Sequence, residues 1–158
     1  YALQVERYEL IRDGGGPGAF RGGLPVRRDT RILAPGTTVS TTGDRQRSGA
    51  PGIDGGHSGT PGAFILNPGI DVERIIPAVS ASFALEPGDV FSVRTPGGGG
   101  FGDPLNREPD EVLQDLLEGR ISERSASEDY GIIVRDGQLD DNATSRLRKK
   151  KHDRETTS

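Results

Sequence analysis

The sequence predicts an α+β fold: a glycine-rich, mainly antiparallel β segment over residues 1–102, followed by two or three short C-terminal helices. Three observations carry that prediction. Apolar residues alternate with polar ones through several short runs before residue 95, which is the two-residue period of strands. Twenty-one of the 24 glycines and nine of the 11 prolines lie at or before Gly102. Beyond that point the pattern changes to helix starts and stops, with Pro109 suited to a first helical position and Gly119 to an end.

The strands are read in order. Leu3, Val5, Tyr8 and Leu10 fall near one face of an extended run over residues 2–12, with a register shift between Val5 and Tyr8 that suggests a bulge. Asp13 to Gly18 is a turn or loop. Leu24 to Leu33 places Leu24, Val26, Arg28, Thr30 and Ile32 on one face, and Pro25 suits the start or edge of such a strand. Thr37 to Thr42 is a short polar strand. Gly43 to Gly62 is predicted as a long loop, of a length that is usually functional or disordered, or else ordered by a partner. Ala63 to Leu66, Asp71 to Ile76, Val79 to Leu85 and Val90 to Arg94 read as strands. Glu86-Pro87-Gly88-Asp89 is a type II turn candidate, and the arms around it read as a hairpin.

Residues 103–147 form the second part. Val112, Leu113, Leu116 and Leu117 give the helix after Pro109 an apolar face. Ser122 caps a second short helix reaching Tyr130, Ile132 to Val134 is extended, and Asp140 or Asp141 caps a last helix ending near Lys151. Residues 148–158 read as a basic tail without fixed structure.

Composition narrows the function. Only 31% of residues are apolar, against roughly 45–50% with glycine included in ordinary domains. A β unit so poor in core residues is expected to lean on something else. The formal net charge of -4 argues against a nucleic-acid partner for the chain as a whole. Arg146 to Arg154 is strongly basic, but cations at a helix C-terminus followed by a solvated end account for it. There is no cysteine, hence no disulfide and no thiolate ligand, and His57 and His152 stand in no metal-ligand spacing. No apolar run approaches a membrane span. Tyr1 opens a sequence devoid of methionine, which points to a piece of a longer polypeptide, a processed product or an incomplete record.

The stretch with the most information is Thr95-Pro96-Gly97-Gly98-Gly99-Gly100-Phe101-Gly102-Asp103-Pro104. Gly97, Gly99 and Gly102 match GxGxxG formally. A dinucleotide fingerprint needs its helix to open inside the motif, whereas Asp103-Pro104 and further residues intervene before Pro109. No GK[ST] follows, so a P-loop is excluded. Gly97, Gly98, Gly99, Gly100, Phe101, Gly102 and Asp103 are therefore expected to form a close-packing or substrate-channel loop. His57-Ser58 on a flexible glycine loop lacks the orienting group that a nucleophile–base pair needs. No catalytic residue is assigned.

Together with Phe20-Arg21-Gly22-Gly23-Leu24, Arg28-Asp29, Gly55-Gly56, Pro61-Gly62, Glu86-Pro87-Gly88-Asp89-Val90 and Glu128-Asp129-Tyr130-Gly131-Ile132, this stretch resembles the C-terminal end of the hydantoinase B/oxoprolinase family. The resemblance implies a larger subunit paired with a hydantoinase A-type partner that holds ATP and Mg2+, and a divalent metal in the missing N-terminal part. It implies ATP-dependent opening of a cyclic amide such as a hydantoin, 5-oxoproline or a lactam, with this piece inactive alone. The alternatives are a subunit of an ATP-dependent ketone carboxylase of the acetone or acetophenone type, or a non-catalytic assembly module. The expected partners are that second subunit, the rest of its own subunit and a small cyclic amide or ketone, in the cytoplasm, with no membrane and no nucleic acid.

Overall fold

The computed structural model describes residues 2–155. Among these residues nine strands and three α-helices follow one another: β1 (Leu3–Leu10), β2 (Val26–Ile32), β3 (Thr37–Thr42), β4 (Ala63–Leu66), β5 (Arg74–Ile76), β6 (Val79–Leu85), β7 (Val90–Arg94), α1 (Pro109–Leu117), α2 (Glu123–Glu128), β8 (Val134–Arg135), β9 (Gln138–Leu139) and α3 (Asp141–Glu155). A single 3₁₀ turn at Pro104–Asn106 leads into α1. Every strand pairing is antiparallel, and helices follow strands, which is the α+β class read from the sequence.

The strands form a five-stranded sheet in the order β1-β2-β7-β4-β5 and a two-stranded sheet of β3 and β6. Their facing sides enclose Ile32, Leu66, Ile76, Leu85 and Phe91, with Val39, Phe64, Phe83 and Val93 around them. Phe64 and Phe91 stack with ring centroids 6.1 Å apart. The register breaks between Val5 and Arg7, where Leu3 and Val5 oppose Ile32 and Thr30 while Tyr8 and Leu10 oppose Arg28 and Val26. The extra residue thus keeps all four β1 apolar side chains on the face of Val26, Arg28, Thr30 and Ile32.

The arms around Glu86–Asp89 do not pair with each other. β6 pairs with β3, whereas β7 lies between β2 and β4. The turn is present: Gly88 has φ +101°, and the Asp89 amide donates to the Glu86 carbonyl at 3.0 Å. Its bonds, however, run to other segments. The Gly88 amide donates to the Ile32 carbonyl, the Ile32 amide to the Asp89 carbonyl, and the Val90 amide to Asn67 Oδ1. These bonds turn the chain through a corner from the small sheet into the large one.

A second core lies under the helices, built from Val112, Ile121, Ala126, Tyr130 and Ile132. Ser122 Oγ accepts the Ser125 amide at 3.1 Å and caps α2. Asp140 Oδ1 accepts the Ala143 amide at 2.9 Å and caps α3. That helix continues to Glu155, past Lys151 and through much of the stretch read as a tail, and residues 156–158 lie outside the described ones. Some of its cations are anchored to neighbouring segments. Arg148 donates to the carbonyls of Tyr130 and Arg107, and Lys151 to that of Glu128. No helix among the described residues is long and apolar enough to cross a membrane.

Candidate functional site

Between the two cores lies a layer of glycine-rich backbone. Five segments meet there, at residues 14–18, 21–23, 49–53, 56–62 and 96–102, joined by main-chain hydrogen bonds. The Gly97 amide donates to the Thr60 carbonyl and the Gly100 amide to His57, while the Thr60 amide donates to Gly14 and the His57 amide to Pro17. Bonded positions therefore recur every third residue on all three segments. The same period governs contact. A Cβ on Gly97 would lie 1.8 Å from the Gly14 carbonyl oxygen and one on Gly100 2.0 Å from that of Pro17. One on Gly98 would meet Gly23 at 2.9 Å, and one on Gly99 would meet the Pro51 oxygen at 2.0 Å. Successive glycines thus point at three different neighbours, the geometry of a polyproline II-type turn, whose amides are free to bond to adjacent chains.

This arrangement accounts for the four glycines in a row. With neighbours on three sides, no position in 97–100 has space for a side chain. The 43–62 stretch supplies two of the segments and has fixed structure, ordered by the other glycine segments. Gly49 and Gly52 face Gly59 and Gly56 across a hairpin-like return, again at a spacing of three. Arg21 reaches from the layer toward the helices, whereas other side chains point outward. Phe20, Ile53 and Phe101 gather at one end, Phe20 and Phe101 with ring centroids 6.2 Å apart, and all three are largely exposed.

A buried carboxylate ties the layer to the helices. Asp115 of α1 is 1% exposed and accepts from Arg21 Nε at 2.9 Å, Arg107 Nη2 at 3.1 Å and Arg120 Nη1 at 3.1 Å. Burial alone would push this carboxyl up. Hydrogen bonds from Arg21 and Arg120, with the charge of Arg21 and Arg107, outweigh burial and hold it below the ordinary carboxylate range. Tyr130, fully buried beside this cluster, has its phenol pushed up to about 12 by burial, and its hydroxyl has no hydrogen-bond partner among the described residues. The sequence reading missed this hub. The signal was an acid at position 115, between Val112 and Leu116 on the buried stripe of α1.

Asp103 takes a local role: its Oδ1 accepts the Leu105 amide at 2.8 Å and starts the 3₁₀ turn. His57 is exposed, and it is its backbone that joins the layer. The amides of Gly97, Gly98, Gly100 and Gly102 are all committed to protein carbonyls. They are unavailable to cradle a phosphate, so the run does not fit a nucleotide loop. Among the described residues no three of His, Cys, Asp and Glu are grouped so as to hold a metal ion.

The comparisons with known proteins agree with the residue pattern. The family model described as hydantoinase B/oxoprolinase matches residues 1–104. This chain belongs to the hydantoinase B/oxoprolinase family. It is 34% identical to the B-type component of the putative D-/L-hydantoinase of Pseudomonas sp. (strain NS671), over 94% of this chain and 25% of that protein. It is 32% identical to the beta subunit of the caprolactamase of Pseudomonas jessenii, over 91% of this chain and 26% of that protein. Among solved structures, the ATP-dependent caprolactamase of Pseudomonas jessenii superposes with a TM-score of 0.79 at 30% identity, over 94% of this chain and 26% of that one. Nucleotide-free acetone carboxylase gives 0.82 at 25% identity, over 99% and 26%. The chain thus spans about a quarter of the length of each of these four.

Proposed function

We propose that this chain is the C-terminal region of a hydantoinase B-type subunit that opens a cyclic amide in an ATP-dependent reaction with a hydantoinase A-type partner. The observation that carries this reading is the likeness to a hydantoinase component and a caprolactamase component across both the strand part and the helices. The likeness to the acetone carboxylase alpha subunit of Xanthobacter autotrophicus covers 73% of the chain, less than the 94% and 91% for those two components, which puts their type of reaction first. The carboxylase reading stays as the second one because nucleotide-free acetone carboxylase superposes over nearly the whole chain.

In this reading ATP and Mg2+ belong to the partner and a divalent metal to the part of the subunit outside this chain. The chain contributes shape. Its glycine layer fixes the β sandwich against the helices through close backbone packing, and the Asp115 hub locks that junction. A chain free of cysteine is in keeping with a cytoplasmic complex.

The test is reconstitution. The chain is produced with the remainder of its subunit and a hydantoinase A-type partner, then supplied with Mg-ATP and hydantoin, 5-oxoproline or caprolactam. Ring opening by the assembly, and none by the chain alone, is expected. Turnover by the chain alone, or ketone carboxylation with every ring left intact, would overturn the reading.

A further inference from the structure

The two sheets differ in width. Strands lie about 4.8 Å apart, so a two-stranded sheet roofs less than half of a five-stranded one. The position of the small sheet is set by its neighbours. On one side Ser80, Phe83 and Ala84 of β6 lie near Arg74 and Ile76 of β5. On the other, Thr37 and Val39 of β3 share an apolar cleft of about 270 Å³ with Leu3, Thr30 and Phe91. The small sheet therefore covers the β5 end, and β3 is its boundary toward β1.

Beyond that boundary the large sheet has no roof among the described residues. Leu3, Val5, Tyr8 and Leu10 are 52%, 48%, 72% and 59% exposed, although the bulge places them on the core side of the sheet. Among the described residues β3 pairs only with β6, so its other edge presents backbone amides and carbonyls above this apolar strip. A free edge beside an uncovered apolar face is the surface to which another strand adds.

We infer that the β3 edge and the β1 strip are the docking surface for a β-strand from the part of the hydantoinase B-type subunit outside this chain. The inference rests on the proposed function above. Relatives about four times as long supply the occupant, because nearly all of this chain corresponds to only 25–26% of each. Strand addition would extend the small sheet over the strip, pair the β3 edge and close the cleft. The Phe20–Ile53–Phe101 end of the glycine layer has no such edge beside it and would stay open in this contact.

The test uses the whole chain produced with the remainder of its subunit, followed by hydrogen exchange with and without that remainder. Amides in 37–42 should slow by about tenfold or more on association, with 3–10 also protected. Val5→Glu, on the strip, should weaken association by about tenfold. Ile75→Glu, an exposed apolar position on the opposite face, should leave it unchanged. The exchange measurement needs no variant, so a Val5→Glu chain that fails to fold does not blunt the test. Association with protection confined to Phe20, Ile53 and Phe101 would overturn this surface while leaving the proposed function in place. Protection of 37–42 by a second copy of the chain would overturn the surface alone, and no association at all would overturn the surface and the function reading together.

Discussion

Arg21 and Asp115 stand 94 residues apart in sequence and meet in a two-point bond, Nε to Oδ2 at 2.9 Å and Nη2 to Oδ1 at 3.3 Å. One partner belongs to the glycine layer and the other to the middle of α1. Arg107 and Arg120 complete the coordination of the same carboxylate. A buried anion under three cations resists substitution because removing it strands the remaining charges.

Asp115→Asn is expected to destabilise the chain by about 3–5 kcal/mol, the cost of breaking a buried ion pair from one side. Its pH dependence has a definite sign. The Asp115 carboxyl is depressed in the folded chain, so the unfolded state binds more protons as acid is added. The stabilisation is present above the unfolded carboxylate range near about 4 and is lost as pH falls through the folded value. Urea unfolding from neutral pH to pH 3 should show a decline for the native chain that is shallower in Asp115→Asn. Parallel curves would place the acid sensitivity elsewhere, Asp29 being the next candidate, since Arg27 holds its carboxyl low against burial.

Tyr130→Phe should have the opposite character. The ring fills the second core, while its hydroxyl is buried without a partner among the described residues. Removing an unbonded buried hydroxyl is expected to leave stability unchanged or raise it by about 1 kcal/mol. An absorbance titration should also lose the phenol that ionises at about 12. A stability loss above about 1 kcal/mol would mean that the hydroxyl has a bonding partner.

The basic run divides into anchored and solvated cations. Arg148 bonds two carbonyls across the second core, and burial holds its guanidinium below the ordinary arginine value. Arg148→Ala is expected to cost roughly 2–4 kcal/mol from two charge-assisted bonds. Lys149→Ala, at an exposed position of α3, should cost less than about 0.5 kcal/mol. Thermal unfolding of both variants measures the difference, and equal effects would refute the anchoring role.

Much of the strand part was legible in the residues. The β1 bulge, the Ser122 cap and the Glu86–Asp89 turn each follow from local chemistry. The partners of β6 and β7 did not, because a turn sequence specifies a reversal of the chain but not which sheet receives each arm. The glycine layer was legible only in outline. Periodicity is read from side chains, and segments whose contacts are backbone on backbone carry little of it beyond Gly49, Gly52, Gly56, Gly59 and Gly62 at near-threefold spacing. The Asp115 hub was hidden for another reason. Its arginines come from positions 21, 107 and 120, which only the folded chain brings together.

Committed amides make a prediction about nucleotides. Titrating Mg-ATP into the chain alone should give no heat of binding and no change in the exchange of Gly97–Gly102, since four amides of that run already bond to Thr60, Gly23, His57 and Ile53. Saturable binding that protects these amides would reopen the phosphate-loop reading.

The central claim is that the glycine run closes against other backbone rather than around a ligand. Gly97→Ala against Gly23→Ala tests it most directly by thermal unfolding. A Cβ on Gly97 falls 1.8 Å from the Gly14 oxygen, whereas one on Gly23 meets nothing within 4 Å. Gly97→Ala should cost about 3 kcal/mol or more, at or beyond the usual limit of overpacking. Gly23→Ala should stay within about 1 kcal/mol of the native chain and can gain from reduced unfolded-state freedom. Two variants that both melt with the native chain would contradict the account.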